Sequence, residues 1–154
     1  MEGKSASGKY TWDEGAIVRG DATQKQLCLV FTADDRADGA ERIITTLKKL
    51  GIKGAFFFTG RFFELYPDVV KRLVDDGHYV GSHSDGHLVY CSWEKRDSLL
   101  VTKEQFVDDI RRSYERLAEY GITPQQAPWL IPPYEWHNAT VSAWAREMGL
   151  QLVN

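Results

Sequence analysis

Apolar and polar positions come in regular blocks along this chain. Leu27-Cys28-Leu29-Val30-Phe31 is a continuous apolar run, the pattern of a strand buried on both faces. A polar, acidic stretch follows, from Thr32 to Gly39. From Ala40 to Leu50 the apolar residues Ile43, Ile44, Leu47 and Leu50 recur at helical spacing, and Gly51 stops that helix. Ala55-Phe56-Phe57-Phe58 predicts a second strand. Asp68 to Asp76 predicts a second helix, with Pro67 near its start, Val69, Val70, Leu73 and Val74 on one stripe, and Gly77 after it. His78 to Ser82 reads as a third strand. Thr102-Lys103-Glu104-Gln105 has the character of an N-cap and opens a long helix through Phe106, Ile110, Tyr114 and Leu117 toward Gly121. Trp129-Leu130-Ile131 predicts a fourth strand, Ala139 to Met148 a further helix, and Leu150 to Val153 a fifth strand. Strands alternating with helices mean βαβ units and a mainly parallel sheet. Right-handed crossovers then leave two architectures, a doubly wound sheet or a barrel.

Composition narrows the function classes. Of 154 residues, 43% are hydrophobic and 27% charged, the make-up of one globular domain with a real core. The formal charge of -3 gives no electrostatic footprint for nucleic acid. No apolar run approaches the roughly 18–20 residues of a membrane span. Residues 1–9 are polar and rich in Gly and Ser, without the apolar stretch of a signal peptide. They place a tail or lead-in over 1–22 and the folded domain over 23–154. Two cysteines make neither a disulfide framework nor a CxxC metal box; Cys28 falls in the first strand and Cys91 in a loop.

In either architecture, sites form at the carboxyl ends of the strands. Asp34 and Asp35 follow the first strand. Their side chains point to opposite sides, so one could hold a metal while the other faces water or substrate; equally, both could cap a helix. His83 and His87 follow the third strand at a spacing that lets a tight loop converge both imidazoles, though an HxxxH can also be structural. Two histidines and one carboxylate would leave open positions on a metal, the arrangement of a catalytic site. Trp93, Trp129 and Trp136 lie in or beside loops at this end, where a ring could stack on a sugar or pack against a rim.

These segments together resemble the polysaccharide deacetylase family, carbohydrate esterases that include chitin and peptidoglycan N-deacetylases. Leu29 to Asp35 resembles that family's TFDDG motif. Gly54 to Gly60 resembles its second strand. His83-Ser84-Asp85-Gly86-His87 resembles its H-[ST]-x-x-H motif, and Pro132-Pro133-Tyr134 most of its R-x-P-[FY] motif. The resemblance covers Leu27 to Asn154 and implies a distorted (β/α) barrel, here with about five strands. It implies that Asp35, His83 and His87 bind a divalent metal, zinc above all, and that Asp34 is the general base. It implies an oxyanion held by the Tyr134 N–H, and a bracing role for Ser84. Pro133, Glu135, Trp136 and His137 fall to the surrounding shell or the substrate, which would be an acetylated glycan.

The chain departs from the family pattern in three ways. Ala33 and Arg36 flank the paired acids in place of Phe and Gly. Ile131 stands where the family has an arginine that orients the catalytic carboxylate. The family's fourth and fifth motifs, with the histidine acid for the leaving amine, are absent from this sequence, and His137 is the nearest substitute. Seven βα units at roughly 30 residues each would need over 200 residues; this chain stops where a sixth would begin. The departures keep two rivals open: a hydrolase of another non-peptide C–N bond, and a non-catalytic metal- or glycan-binding module. The family also implies a secreted, periplasmic or envelope location. The terminal strand suggests self-association through an open sheet edge.

Overall fold

The computed structural model describes residues 9–154. Seven strands and five helices follow in the order β1 (Thr11–Asp13), β2 (Ala16–Arg19), β3 (Val30–Ala33), α1 (Ala40–Leu50), β4 (Ala55–Phe58), α2 (Gly60–Leu65), α3 (Pro67–Asp75), β5 (Tyr79–Ser82), α4 (Lys103–Ala118), β6 (Trp129–Leu130), α5 (Ala139–Glu147) and β7 (Gln151–Leu152). The five strands expected from the apolar runs form one sheet, all parallel, in the spatial order β3-β4-β5-β6-β7. Each new strand is added beside the last. A doubly wound sheet would reverse direction at a switch point, so this order decides for the singly wound, barrel-type arrangement.

Side chains alternate across the pleat. Phe31, Phe56, Phe58, Val80, Leu130 and Leu152 face the helices and join Ile44, Leu47, Leu73, Phe106, Ile110 and Leu117 in the main core. The other face carries Val30, Ala55, Phe57, Tyr79, Ile131 and Val153 and is also apolar. It borders a cavity of about 600 Å³. The Tyr79 hydroxyl spans this face, donating to the Trp129 carbonyl and accepting from the Trp129 N–H at 2.9 and 3.0 Å. Burial pushes that hydroxyl up to about 12, against the smaller opposing effect of the Trp129 bond.

Two expectations need correction. The first strand is not buried on both faces: it starts at Val30, and Leu27, Cys28, Leu29 and Val30 are exposed. It is the sheet edge and lies beside the open face, so none of the described residues covers its outer positions. The lead-in, in turn, is structured from Thr11 onward. β1 and β2 form an antiparallel hairpin whose turn residues, Glu14 and Gly15, both have positive φ (46° and 77°), as a two-residue type I′ turn requires. Ile17 of this hairpin bridges to Val153, and the Asn154 N–H donates to the Ile17 carbonyl. The hairpin thus meets the C-terminal edge, and among the described residues the sheet edge left free is β3 rather than the terminal strand.

Candidate active site

Three strand-end segments build the site. After β3, Asp34 is half-buried and its Oδ1 accepts from the Thr59 hydroxyl at 2.7 Å. Thr59 sits at the end of β4 as the N-cap of α2, where its hydroxyl also accepts from the Phe62 N–H. One threonine therefore starts a helix and fixes the orientation of Asp34. Asp35 turns elsewhere. It faces the guanidinium groups of Arg61 at 3.6 Å and Arg36 at 3.9 Å, both largely exposed.

After β5, His83 is buried and His87 follows one turn of loop later. The Nε2 atoms of the two imidazoles are 3.3 Å apart. The Nδ1–H of His83 faces the Ile131 carbonyl at 3.0 Å, a contact that fixes the tautomer and leaves the Nε2 lone pair free. Burial pushes His83 down to about 4; the Ile131 carbonyl opposes that, His87 adds to it, and the Asp34 carboxylate opposes it. The ring is therefore neutral at pH 7, the form that ligates metal.

The loop between them is held from inside. Ser84 is buried and its hydroxyl accepts from the His87 N–H at 2.9 Å. Asp109 of α4, fully buried, accepts from the Gly86 N–H at 2.6 Å and from the Tyr90 hydroxyl at 2.7 Å. Ser113 of the same helix donates to Ser82, whose hydroxyl in turn accepts from the Ser84 N–H. Asp109 and Ser113 escaped the sequence reading. Their signal was there: both fall on the buried stripe Phe106, Asp109, Ile110, Ser113, Leu117, where a polar residue needs a partner.

After β6, Pro132 and Pro133 lead into a short 3₁₀ turn, Pro133–Glu135. The turn's two backbone bonds are donated by Glu135 and Trp136, so the Tyr134 N–H takes no part in them. The Tyr134 ring packs on His87, with centroids 4.5 Å apart. Of the five non-glycine residues with positive φ among the described residues, four are here: Ser84, His87, Tyr134 and Glu135. Such conformations are unfavourable unless their surroundings enforce them, and they concentrate where side chains must be aimed.

The remaining expected residues separate. Ile131 is buried on the open sheet face beside Ala55 and Phe57 and touches the site only through its carbonyl. Glu135 is exposed. Trp136 stacks on Trp93. His137 is fully buried; its Nε2 bonds the Asp13 carbonyl at 3.1 Å and its Nδ1 has no partner among the described residues. Enclosed in this way, it tethers the hairpin and cannot reach a substrate.

A metal can be tested against this geometry. Two nitrogens bound at 2.0–2.1 Å to a tetrahedral zinc lie about 3.3–3.4 Å apart. His83 and His87 match that spacing. Among the described residues, however, no group of three or more His, Cys, Asp or Glu gathers at ligand distance. The imidazole pair fits a metal, and Asp35 does not stand with it.

Comparison with known proteins agrees with the fold. The family model described as polysaccharide deacetylase matches residues 20–153. The chain is 37% identical over 127 residues to an uncharacterized 30.6 kDa protein of Geobacillus stearothermophilus, covering 79% of this chain and 44% of that protein. It is 29% identical over 139 residues to the peptidoglycan-N-acetylmuramic acid deacetylase PdaA of Bacillus subtilis, covering 90% and 49%. A family 4 carbohydrate esterase from Bacillus anthracis superposes with a TM-score of 0.78 at 25% identity, covering 92% of this chain and 64% of the other. The chain spans about half the length of the curated relatives it matches. With the family model covering nearly the whole described chain, this chain belongs to the polysaccharide deacetylase family.

Proposed function

We propose that this chain carries the metal-binding and base-bearing part of a deacetylase that removes acetyl groups, chiefly N-acetyl, from peptidoglycan or a related carbohydrate. The observation that carries the reading is the convergence of two imidazole nitrogens at 3.3 Å beside a carboxylate fixed by Thr59, at the carboxyl end of a parallel sheet. His83 and His87 would hold a divalent metal, zinc by resemblance, with Asp35 the carboxylate in sequence position to join them. A metal bound there supplies Lewis acidity and a water of lowered pKa. Asp34, oriented by Thr59, takes a proton from the attacking water. The Tyr134 N–H stabilises the oxyanion formed at the acetyl carbon. The proton held by Asp34 then passes to the departing nitrogen as the C–N bond breaks, giving acetate and a free amine on the sugar. Relatives named as peptidoglycan deacetylases support a place at the cell wall, outside the cytoplasm.

A second reading has its own observation. Asp35 is engaged by Arg36 and Arg61, and Ile131 gives Asp34 no cationic partner. Both favour a non-catalytic metal- or glycan-binding module. A hydrolase of another C–N bond would share the site and differ in substrate. Acetate release from chito-oligosaccharides and peptidoglycan fragments separates these. The purified chain, loaded with zinc, should release acetate, and Asp34→Asn should lower the rate by about 10²-fold or more. Zinc content should fall in His83→Ala. Zinc binding without acetate release would select the module, and equal rates for Asp34→Asn would remove Asp34 from the mechanism.

A further inference from the structure

Beside the histidine pair the chain exposes two large aromatic rings in contact with each other. Trp93 is 57% exposed and Tyr134 45% exposed, and their centroids are 5.9 Å apart at near-perpendicular planes. Leaving this much apolar ring in water forgoes burial that the core offers elsewhere. The rings are not loose. Trp93 stacks on Trp136 at 5.3 Å with planes 19° apart. Trp136 is fixed by its own Nε1–H, which donates to the Ser92 carbonyl at 3.2 Å, and by the Arg96 guanidinium 4.8 Å over its ring. Arg96 is anchored in turn, by the His137 carbonyl at 2.7 Å and the Asp13 carboxylate at 2.8 Å. Tyr134 is fixed at the other end by packing on His87. The result is a pre-ordered aromatic shelf that begins at the metal-binding imidazole and runs outward to Trp93.

A pre-ordered aromatic surface binds a ligand that offers a flat apolar face and wet edges. A pyranose ring does this: its axial C–H bonds carry partial positive charge toward the negative π-face, and its hydroxyls stay in solvent. We propose that Trp93 supplies the stacking face, and Tyr134, standing perpendicular to it, the side wall, of a subsite for the pyranose ring next to the sugar whose acetyl group is presented to His83 and His87. The inference rests on the glycan reading above and adds to it a residue, Trp93, that sets how chain length is recognised. A single sugar placed at the histidines does not reach the outer ring, whereas an oligosaccharide does. Of the other tryptophans raised by the sequence, Trp136 is the support of the shelf. Trp129 lies on the open sheet face beside Tyr79.

Chitotetraose and N-acetylglucosamine, titrated into the zinc-loaded full chain in an Asp34→Asn background, test this by calorimetry. Kd for the tetrasaccharide should rise about tenfold in Trp93→Ala and recover in large part in Trp93→Phe, while the monosaccharide is unaffected. In the wild-type background Trp93→Ala should raise KM for the tetrasaccharide about tenfold and change kcat less than twofold, with zinc content unchanged. Tetrasaccharide binding that Trp93→Ala leaves intact overturns the subsite and spares the glycan reading. No tetrasaccharide binding by the parent protein overturns both.

Discussion

Asp109 puts a carboxyl group where solvent does not reach, on a helix otherwise packed with Phe106, Ile110 and Leu117. Burying such a group is unfavourable unless it is fully bonded. Here the Gly86 N–H and the Tyr90 hydroxyl supply the bonds, and both belong to the segment that contains His87 or directly follows it. Replacing Asp109 with alanine leaves the buried Tyr90 hydroxyl unpaired, at about 1–3 kcal/mol, and releases the Gly86 N–H that holds the loop. The urea midpoint of Asp109→Ala should therefore fall well below that of the wild type, and Asp109→Asn, which keeps one acceptor oxygen, should lie between them. A midpoint unchanged in Asp109→Ala would mean that the histidine loop does not depend on this anchor. The residue was legible only as a polar position on an apolar stripe; its partners lie 23 and 19 positions earlier in the chain.

At the scale of elements, α4 and α2 make opposite cases. The capping box of α4 was written in the sequence, and the structure forms both of its bonds, between Thr102 and Gln105. Six residues of α2 are too few to show a period, and so short a helix has little stability of its own. It exists because Phe62 and Phe63 bury against Phe58 and Thr59 caps it. The same hydroxyl donates to Asp34. Thr59→Val keeps the side-chain volume and removes both bonds. It should cost about 1 kcal/mol of stability through the cap and lower kcat for acetate release by a larger factor than that loss explains, with Thr59→Ser close to wild type. If kcat in Thr59→Val matched wild type, Asp34 would be oriented by something else.

The whole molecule depends on a hairpin that composition assigned to the lead-in. Its turn is held by Arg146 and Gln151 on the Gly15 carbonyl, by His137 on Asp13, and by the Glu14 carboxylate, which accepts from the Ala139 N–H at the start of α5. Gly15 is required at this point: its φ of 77° suits no side chain well, and a Cβ would come within 2.9 Å of Ser142. Ile17 then caps the edge of β7, and Tyr10 and Ile17 line the cavity under the open face. Removing residues 1–19 should lower Tm by roughly 5 °C or more and increase fluorescence of a dye that binds exposed apolar surface. A shortened chain that melts with the wild type would make the hairpin an ornament of the fold.

Local pattern determined a good deal by itself. Apolar runs and glycine stops marked five parallel strands and four helices, because burial and backbone freedom act over a few neighbouring residues. Residue type and position at strand ends marked Asp34, Asp35, His83 and His87, since a parallel sheet gathers such ends on one side. Tertiary structure decided what depends on distant partners. It chose the singly wound strand order, left β3 as the bare edge, enclosed His137, and turned Asp35 toward Arg61 while His83 and His87 converged. Those outcomes are set by which surfaces remain to be covered once the elements meet, a quantity that no window along the chain contains.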